Sequence, residues 1–233
     1  MSRWRQTTSY CAYLNEVFRA DDGPEHFNAL VARLSVLYED LRIEVNGATA
    51  RSIDCLDTLE PIATNPPPKS GFYRSLYFIR RLIGTVSEFA DAVYLLNVEP
   101  QFCRMLPSMP FDQQQRWVAA VEYFGREQRF LKDIRNDVGG HFGLTVARHT
   151  VANISNSATG RVEIETTVKG HTPLLYFAGE LASTAILRHL PGADADEKFG
   201  RFLREHVLVA SEHATNAANV VTAEYLFPRF RKD

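Results

Sequence analysis

The sequence is poor in cysteine and has no long apolar run. Its 233 residues include three cysteines, and no two of them form a C-x-x-C pair. This excludes a disulfide framework or a zinc knuckle and is typical of a reducing compartment. No stretch of about 18 apolar residues exists, so we expect no transmembrane helix. Polar residues interrupt residues 7–15, where a signal peptide would need an apolar core, and we therefore expect a soluble, cytoplasmic protein with no membrane partner.

The chain also lacks a strong net charge. The 26 basic and 28 acidic residues leave a formal charge of −2. No global field therefore draws the protein to nucleic acid, and any such contact needs a local basic patch. The hydrophobic fraction of 45% and the charged fraction of 23% are those of an ordinary globular protein with a normal core.

Several catalytic motifs are missing as well. The sequence contains no G-x-x-x-x-G-K-[ST] phosphate loop, no G-x-G-x-x-G after a strand, no H-E-x-x-H and no G-x-S-x-G. We therefore do not expect nucleotide-driven chemistry by the common routes.

Apolar residues recur at helical spacing over most of the chain. They predict helices over 24–46, 72–96, 111–138, 173–189 and 194–226, and residues 142–155 are compatible with a further helix. The clearest stripe consists of Phe72, Leu76, Ile79, Ile83, Val86, Ala90 and Val93. It indicates either a core helix of an antiparallel bundle or a subunit seam. We predict one mainly all-α domain over 1–233.

Two segments depart from the helical pattern. Residues 47–69 contain an Asn-Pro-Pro-Pro run and predict a proline-rich loop, and Asn46 and Gly47 are expected to end the helix before it. Residues 161–168 alternate strictly in polarity, which is the period of a strand. A single strand needs a partner, so we expect a small β-hairpin insertion near 149–168, with the hairpin itself in 156–171.

The segment 135–141 reads RNDVGGH and carries the pattern R-x(4–6)-H. The same pattern occurs at Arg19 with His26 and at Arg201 with His206. Only Arg135 is followed directly by a polar amide, Asn136. Only this segment also lies beside a long amphipathic helix and a glycine break.

This segment resembles the R-x(4–6)-H motif of HEPN domains, small helical bundles that include many metal-independent ribonucleases. The resemblance implies an endoribonuclease without metal or cofactor, in a toxin–antitoxin or phage-defence system, with a cleft formed between the two subunits of a homodimer. Arg135 would grip a phosphate of RNA with its planar fork, and His141 would transfer a proton. Asn136 would orient one of these groups or the phosphate.

Basic residues step by three along the third predicted helix, at Arg126, Arg129, Lys132 and Arg135. Such a strip is usually the solvated side of a helix, but it also suits an RNA backbone. We assign Arg129 and Lys132 to substrate binding under the second interpretation.

A structural alternative stands beside the catalytic one. Arg135 would then pair with Asp133 or another acid, and His141 would be a packing residue. The chain would be a degenerate HEPN-like bundle that acts as an interaction or scaffold protein, with an antitoxin or another protein as its partner.

Two further histidines, His206 and His213, lie seven residues apart on the last long predicted helix. That spacing places both on one face. With Glu180 or Glu205 they would supply metal ligands, although such histidines are more commonly core or interface residues.

Overall fold

The computed structural model describes residues 14–18, 25–49, 70–139, 144–154, 162–167, 170–175, 178–190 and 195–230. Most of them are helical, which confirms the mainly all-α prediction. The α-helices are α1 (Leu14–Phe18), α2 (Glu25–Thr49), α3 (Ser70–Asn97), α4 (Pro100–Met105), α5 (Phe111–Ile134), α6 (Leu144–Asn153), α7 (Ala178–Leu187), α8 (Ala195–Phe202), α9 (Leu208–Val221) and α10 (Phe227–Phe230). A 3₁₀ turn, Leu106–Ser108, follows α4.

The chain divides into two compact units. Unit 1 comprises Met1–Tyr38, Phe89–Arg126 and Glu212–Asp233, and unit 2 comprises Glu39–Glu88 and Glu127–Ser211. Helices α2, α3, α5 and α9 each contribute residues to both units.

Aromatic side chains dominate the core of unit 1. Trp117 is fully buried, its ring centroid lies 4.3 Å from that of Phe102, and its indole N–H donates to Oδ1 of Asn97 at 3.0 Å. The ring of Tyr225 meets Phe27 edge-on, and its hydroxyl donates to Oδ1 of the buried Asn28. Trp117 and Tyr225 thus bury their apolar ring atoms. The indole N–H of Trp117 and the hydroxyl of Tyr225 each keep a hydrogen-bond partner.

The apolar stripe of α3 is covered within the chain. Its described members Leu76, Ile79, Ile83, Val86, Ala90 and Val93 are all buried. The side chain of Phe72 lies outside the described residues. The core-helix interpretation of this stripe is therefore confirmed, because a stripe already buried in its own chain cannot serve as a subunit seam.

Helix α2 does not stop at Asn46 and Gly47, as the sequence predicted, but continues to Thr49. A Cβ atom on the buried Gly47 would lie 2.6 Å from the ring of Phe78 on α3. The glycine is therefore explained by the close approach of an aromatic ring rather than by a helix end. Of the predicted loop at 47–69, residues 47–49 are helical and 50–69 lie outside the described residues.

Two strands pair between α6 and α7. Strands β1 (Val162–Thr167) and β2 (Gly170–Leu175) are antiparallel, with Val162 opposite Leu175. Residues 149–153, at the start of the insertion predicted near 149–168, belong to α6 instead. The helix predicted over 173–189 begins at Ala178, because Pro173 lies in β2, where proline is tolerated on a strand that has a free edge.

Three π turns interrupt the helices in the described part of the chain, and the sequence pattern predicted none of them. The first is Arg135–Gly139, directly after α5; the second is Leu203–Val207; the third is Thr222–Leu226. The residues of π turns make up well under about 1% of globular proteins, and such turns are frequent at functional sites. The first π turn holds the first five residues of the RNDVGGH segment.

None of the helices that the structure describes combines the length and the apolar content that a membrane crossing requires.

The buried hydrogen bond between Tyr225 and Asn28 gives a test of the unit 1 core. Tyr225→Phe removes one hydroxyl and leaves the amide of Asn28 buried without its donor. We expect the free energy of unfolding in urea to fall by about 1–3 kcal/mol, the usual cost of an unsatisfied buried polar group.

The matched control is Tyr94→Phe, which removes a hydroxyl from an exposed tyrosine of α3. It should change the free energy of unfolding by no more than about 0.5 kcal/mol. Equal effects of the two variants would contradict the described core.

Candidate functional site

Arg135 begins the first π turn and forms an ion pair with α3. Its Nη2 atom lies 2.5 Å from Oε1 of Glu88, and the two side chains are 36% and 31% exposed. The partner is therefore Glu88 and not Asp133, the acid two positions earlier in the sequence. A guanidinium carries five N–H donors in a planar fork, so one contact to a carboxylate does not exhaust its capacity.

Of the other predicted site residues, three are exposed in the structure and one lies outside the described residues. Asn136 is exposed beside Arg135, and Arg129 and Lys132 are exposed on α5. His141 lies outside the described residues, so its position relative to Arg135 stays a prediction. Arg135 and Asn136 are thus neighbours at the surface of unit 2.

Asp137 turns inward where Asn136 turns outward. Its Oδ2 atom accepts from Nη2 of Arg188 at 2.8 Å and from Nε2 of His189. The side chains of Asp137, Arg188 and His189 are only 14%, 26% and 16% exposed. For this contact the proton of His189 is assigned to Nε2, since a carboxylate can only accept. We call this group of three side chains the Asp137 clamp.

Sequence reasoning missed the partners that hold the turn. Glu88 lies between the buried residues Val86 and Phe89, so its sequence position indicates only a polar residue at the edge of a core helix. Arg188 and His189 follow α7 directly, where basic residues are favoured by the helix dipole in any case. Neither signal points to a residue some 50 positions away.

A second carboxylate of unit 2 faces α3 from α2. Glu44 is buried, its Oε1 lies 3.5 Å from Nε of Arg81, and its Oε2 has no hydrogen-bond partner among the described residues. Burial raises the pKa of Glu44 above its usual 4.5, although hydrogen bonding to Thr85 and the charge of Arg81 oppose this. Arg81, Thr85 and Glu88 therefore form a polar edge along the apolar helix α3.

The two histidines of the last long predicted helix have different surroundings. In unit 2, Nδ1 of His206 lies 3.5 Å from Oε2 of Glu127, and its ring packs against Phe130. In unit 1, the ring of His213 stacks on Tyr123 with 4.4 Å between centroids. Both histidines therefore pack against aromatic rings, and Nδ1 of His213 has no hydrogen-bond partner among the described residues.

The described residues supply no complete set of metal ligands around these histidines. Glu205 is exposed, and the side chain of Glu180 lies outside the described residues. Across the described ranges no group of three or more His, Cys, Asp or Glu side chains is placed to hold a metal ion.

His213 predicts a pH dependence of stability. Burial lowers its pKa from the usual 6.5; the charge of Arg126 adds to this, and that of Glu212 opposes it. The unfolded chain therefore binds a proton at a pH where folded His213 does not. The resulting stability is present above pH 6.5 and is lost as the pH falls through the lower pKa of the folded state. Unfolding in urea between about pH 7.5 and 5.5 should show this loss, and His213→Gln should reduce it.

The matched control is His149→Gln, which removes a histidine of α6 whose described contacts are with Asn153 alone. The stability that this variant loses on acidification should be closer to the loss of the unaltered chain than the loss of His213→Gln is. If His213→Gln keeps the full loss, the burial of His213 does not have the described effect.

Comparisons with family models, with curated proteins and with solved structures found no match for this chain.

Proposed function

We propose that the chain is a metal-independent endoribonuclease of HEPN type whose site is centred on Arg135 and Asn136. The observation that carries the proposal is the first π turn. It holds an arginine and an amide side by side at the surface, and it anchors the next residue, Asp137, below the surface. π turns are frequent at functional sites, and although another overlaps the Arg201/His206 segment, only Arg135 is followed by an asparagine.

The chemistry assigns one task to each residue. The 2′-hydroxyl of RNA attacks the adjacent phosphorus, a P–O2′ bond forms, and the bond to the 5′-oxygen breaks. Arg135 stabilises the charge on the phosphate oxygens with two N–H donors. Asn136 positions the phosphate, and His141, whose imidazole titrates near neutral pH, transfers the proton.

Charge near the site supports RNA as the substrate class. Arg129 and Lys132 are exposed on α5 and are three residues apart, which makes them surface neighbours on a helix. Together they offer two cations to the backbone beyond the scissile phosphate. Their contribution is electrostatic and independent of base sequence.

The proposal includes a homodimer with a composite cleft. Each subunit would bring its own His141, so that one imidazole takes the proton from the 2′-hydroxyl and the other gives a proton to the leaving 5′-oxygen. An RNase of this kind is toxic unless restrained, which suits a toxin–antitoxin or phage-defence system with an antitoxin as the protein partner.

Cleavage of RNA by the purified protein tests the proposal. Total RNA incubated in EDTA should be cut, and His141→Ala should lower the rate on the order of 10²–10⁴-fold, as expected for loss of a general acid or base. Arg135→Lys should also be inactive, because a point charge cannot replace a bidentate fork.

Matched controls come from α6, where Arg148 is exposed and His149 bonds only to Asn153 in the described contacts. Arg148→Lys and His149→Ala should cleave RNA at the unaltered rate. Cleavage that survives both His141→Ala and Arg135→Lys would come from a contaminant or another site, and it would refute the proposal.

Sedimentation velocity at micromolar concentration tests the composite cleft. We expect a species of twice the chain mass, since a C2 dimer places the same surface patch of both subunits together. A strict monomer that nonetheless cleaves RNA would show that one subunit holds a complete site.

The Arg135–Glu88 ion pair favours a second candidate function, a helical interaction or scaffold protein. An arginine with a purely structural role would make such a pair. On this view Arg135→Ala lowers the melting temperature, and the protein cuts no RNA under any condition.

A further inference from the structure

The first π turn sends three successive side chains in three directions. Arg135 reaches α3 through Glu88, Asn136 faces solvent, and Asp137 reaches the residues that follow α7. A π turn holds one residue more than an α-helical turn, so the side chains after it no longer follow the faces of the preceding α-helix. Its side-chain contacts therefore act together with its backbone hydrogen bonds in fixing its orientation.

The Asp137 clamp is the more buried of the two anchors. Arg188 and His189 both donate to the same oxygen, Oδ2, and they are consecutive in sequence. Their backbone is itself fixed, because the N–H of His189 donates to the carbonyl of Ile186 and that of Leu190 to the carbonyl of Leu187. Ile186 is fully buried, so the clamp connects the turn to the core of unit 2.

We infer that Asp137 is a positioning residue: its carboxylate, held by Arg188 and His189, fixes the first π turn in the orientation that presents Arg135 and Asn136 to an RNA phosphate. This inference rests on the proposed ribonuclease function. Asp137 itself stays below the surface, with its accepting oxygen occupied by two donors, and it acts through its two neighbours in sequence.

The first measurement is hydrogen exchange of the backbone, which needs no activity. In Asp137→Asn the amides of Arg135–Gly139 should exchange at least about tenfold faster, since local opening is governed by the contacts of the segment. Asp133→Asn, the same change at an exposed acid of α5, should leave them unaltered. Unchanged exchange in Asp137→Asn would overturn the anchoring role.

The second measurement separates kcat from KM on an RNA oligonucleotide. Asp137→Asn should lower kcat by about 10²-fold, as a displacement near 1 Å does, and should change KM by no more than about twofold. Because the clamp acts as one unit, adding Asp137→Asn to the Arg188→Gln/His189→Gln variant should cause no further loss. That double variant also replaces Asp137→Asn if the latter does not fold.

The outcomes distinguish failure of the ribonuclease function from failure of the positioning role of Asp137. If the unaltered protein cleaves no RNA, the proposed function fails and hydrogen exchange alone decides whether the clamp anchors the turn. If it cleaves RNA and Asp137→Asn keeps its kcat, or if losses in the clamp variants simply multiply, Asp137 does not position the site.

Discussion

The pairing of one carboxylate, Asp137, with Arg188 and His189 is the interaction on which the candidate site depends. Helix α5 ends at Ile134, and the five residues that follow have π rather than α geometry. The contacts of Asp137 to Arg188 and His189, together with that of Arg135 to Glu88, connect this turn to the rest of unit 2. Because Arg188 and His189 directly follow α7, the position of α7 helps to determine where Arg135 and Asn136 lie at the surface.

Charged side chains of unit 2 lie along the polar edge of α3, beside its buried apolar stripe. Arg81 and Glu88 of α3 pair with Glu44 of α2 and Arg135 of the π turn. Glu44 is the buried member of these pairs, at 6% exposed, whereas Arg81, Arg135 and Glu88 are 55%, 36% and 31% exposed. An uncompensated charge costs most where it is buried, so loss of Arg81 would act chiefly through Glu44. Glu88 also competes with any phosphate for Arg135, and the remaining donors of the guanidinium would make the first contact with RNA.

The sequence predicted what is local and missed what is not. The stripe of α3 was predictable because Leu76, Ile83 and Ala90 repeat at helical spacing and are buried. The end of α2 was misplaced because the packing of Phe78 on Gly47 joins residues far apart in sequence. The shared face of His206 and His213 assumed one unbroken α-helix, whereas the second π turn intervenes at Leu203–Val207. The Asp137 clamp had no signal at all, since neither Arg188 nor His189 indicates its distant partner.

We propose that this chain cuts RNA through attack of the 2′-hydroxyl, with Arg135 on the phosphate. Mass spectrometry of a cleaved oligonucleotide identifies the chemical ends of the products and so distinguishes this attack from hydrolysis. We expect a 2′,3′-cyclic phosphate on one fragment and a 5′-hydroxyl on the other, and no cleavage where the nucleotide 5′ of the scissile phosphate is 2′-deoxy. Fragments that end in a 3′-hydroxyl and a 5′-phosphate would mean that water attacks the phosphorus, and they would overturn the proposal.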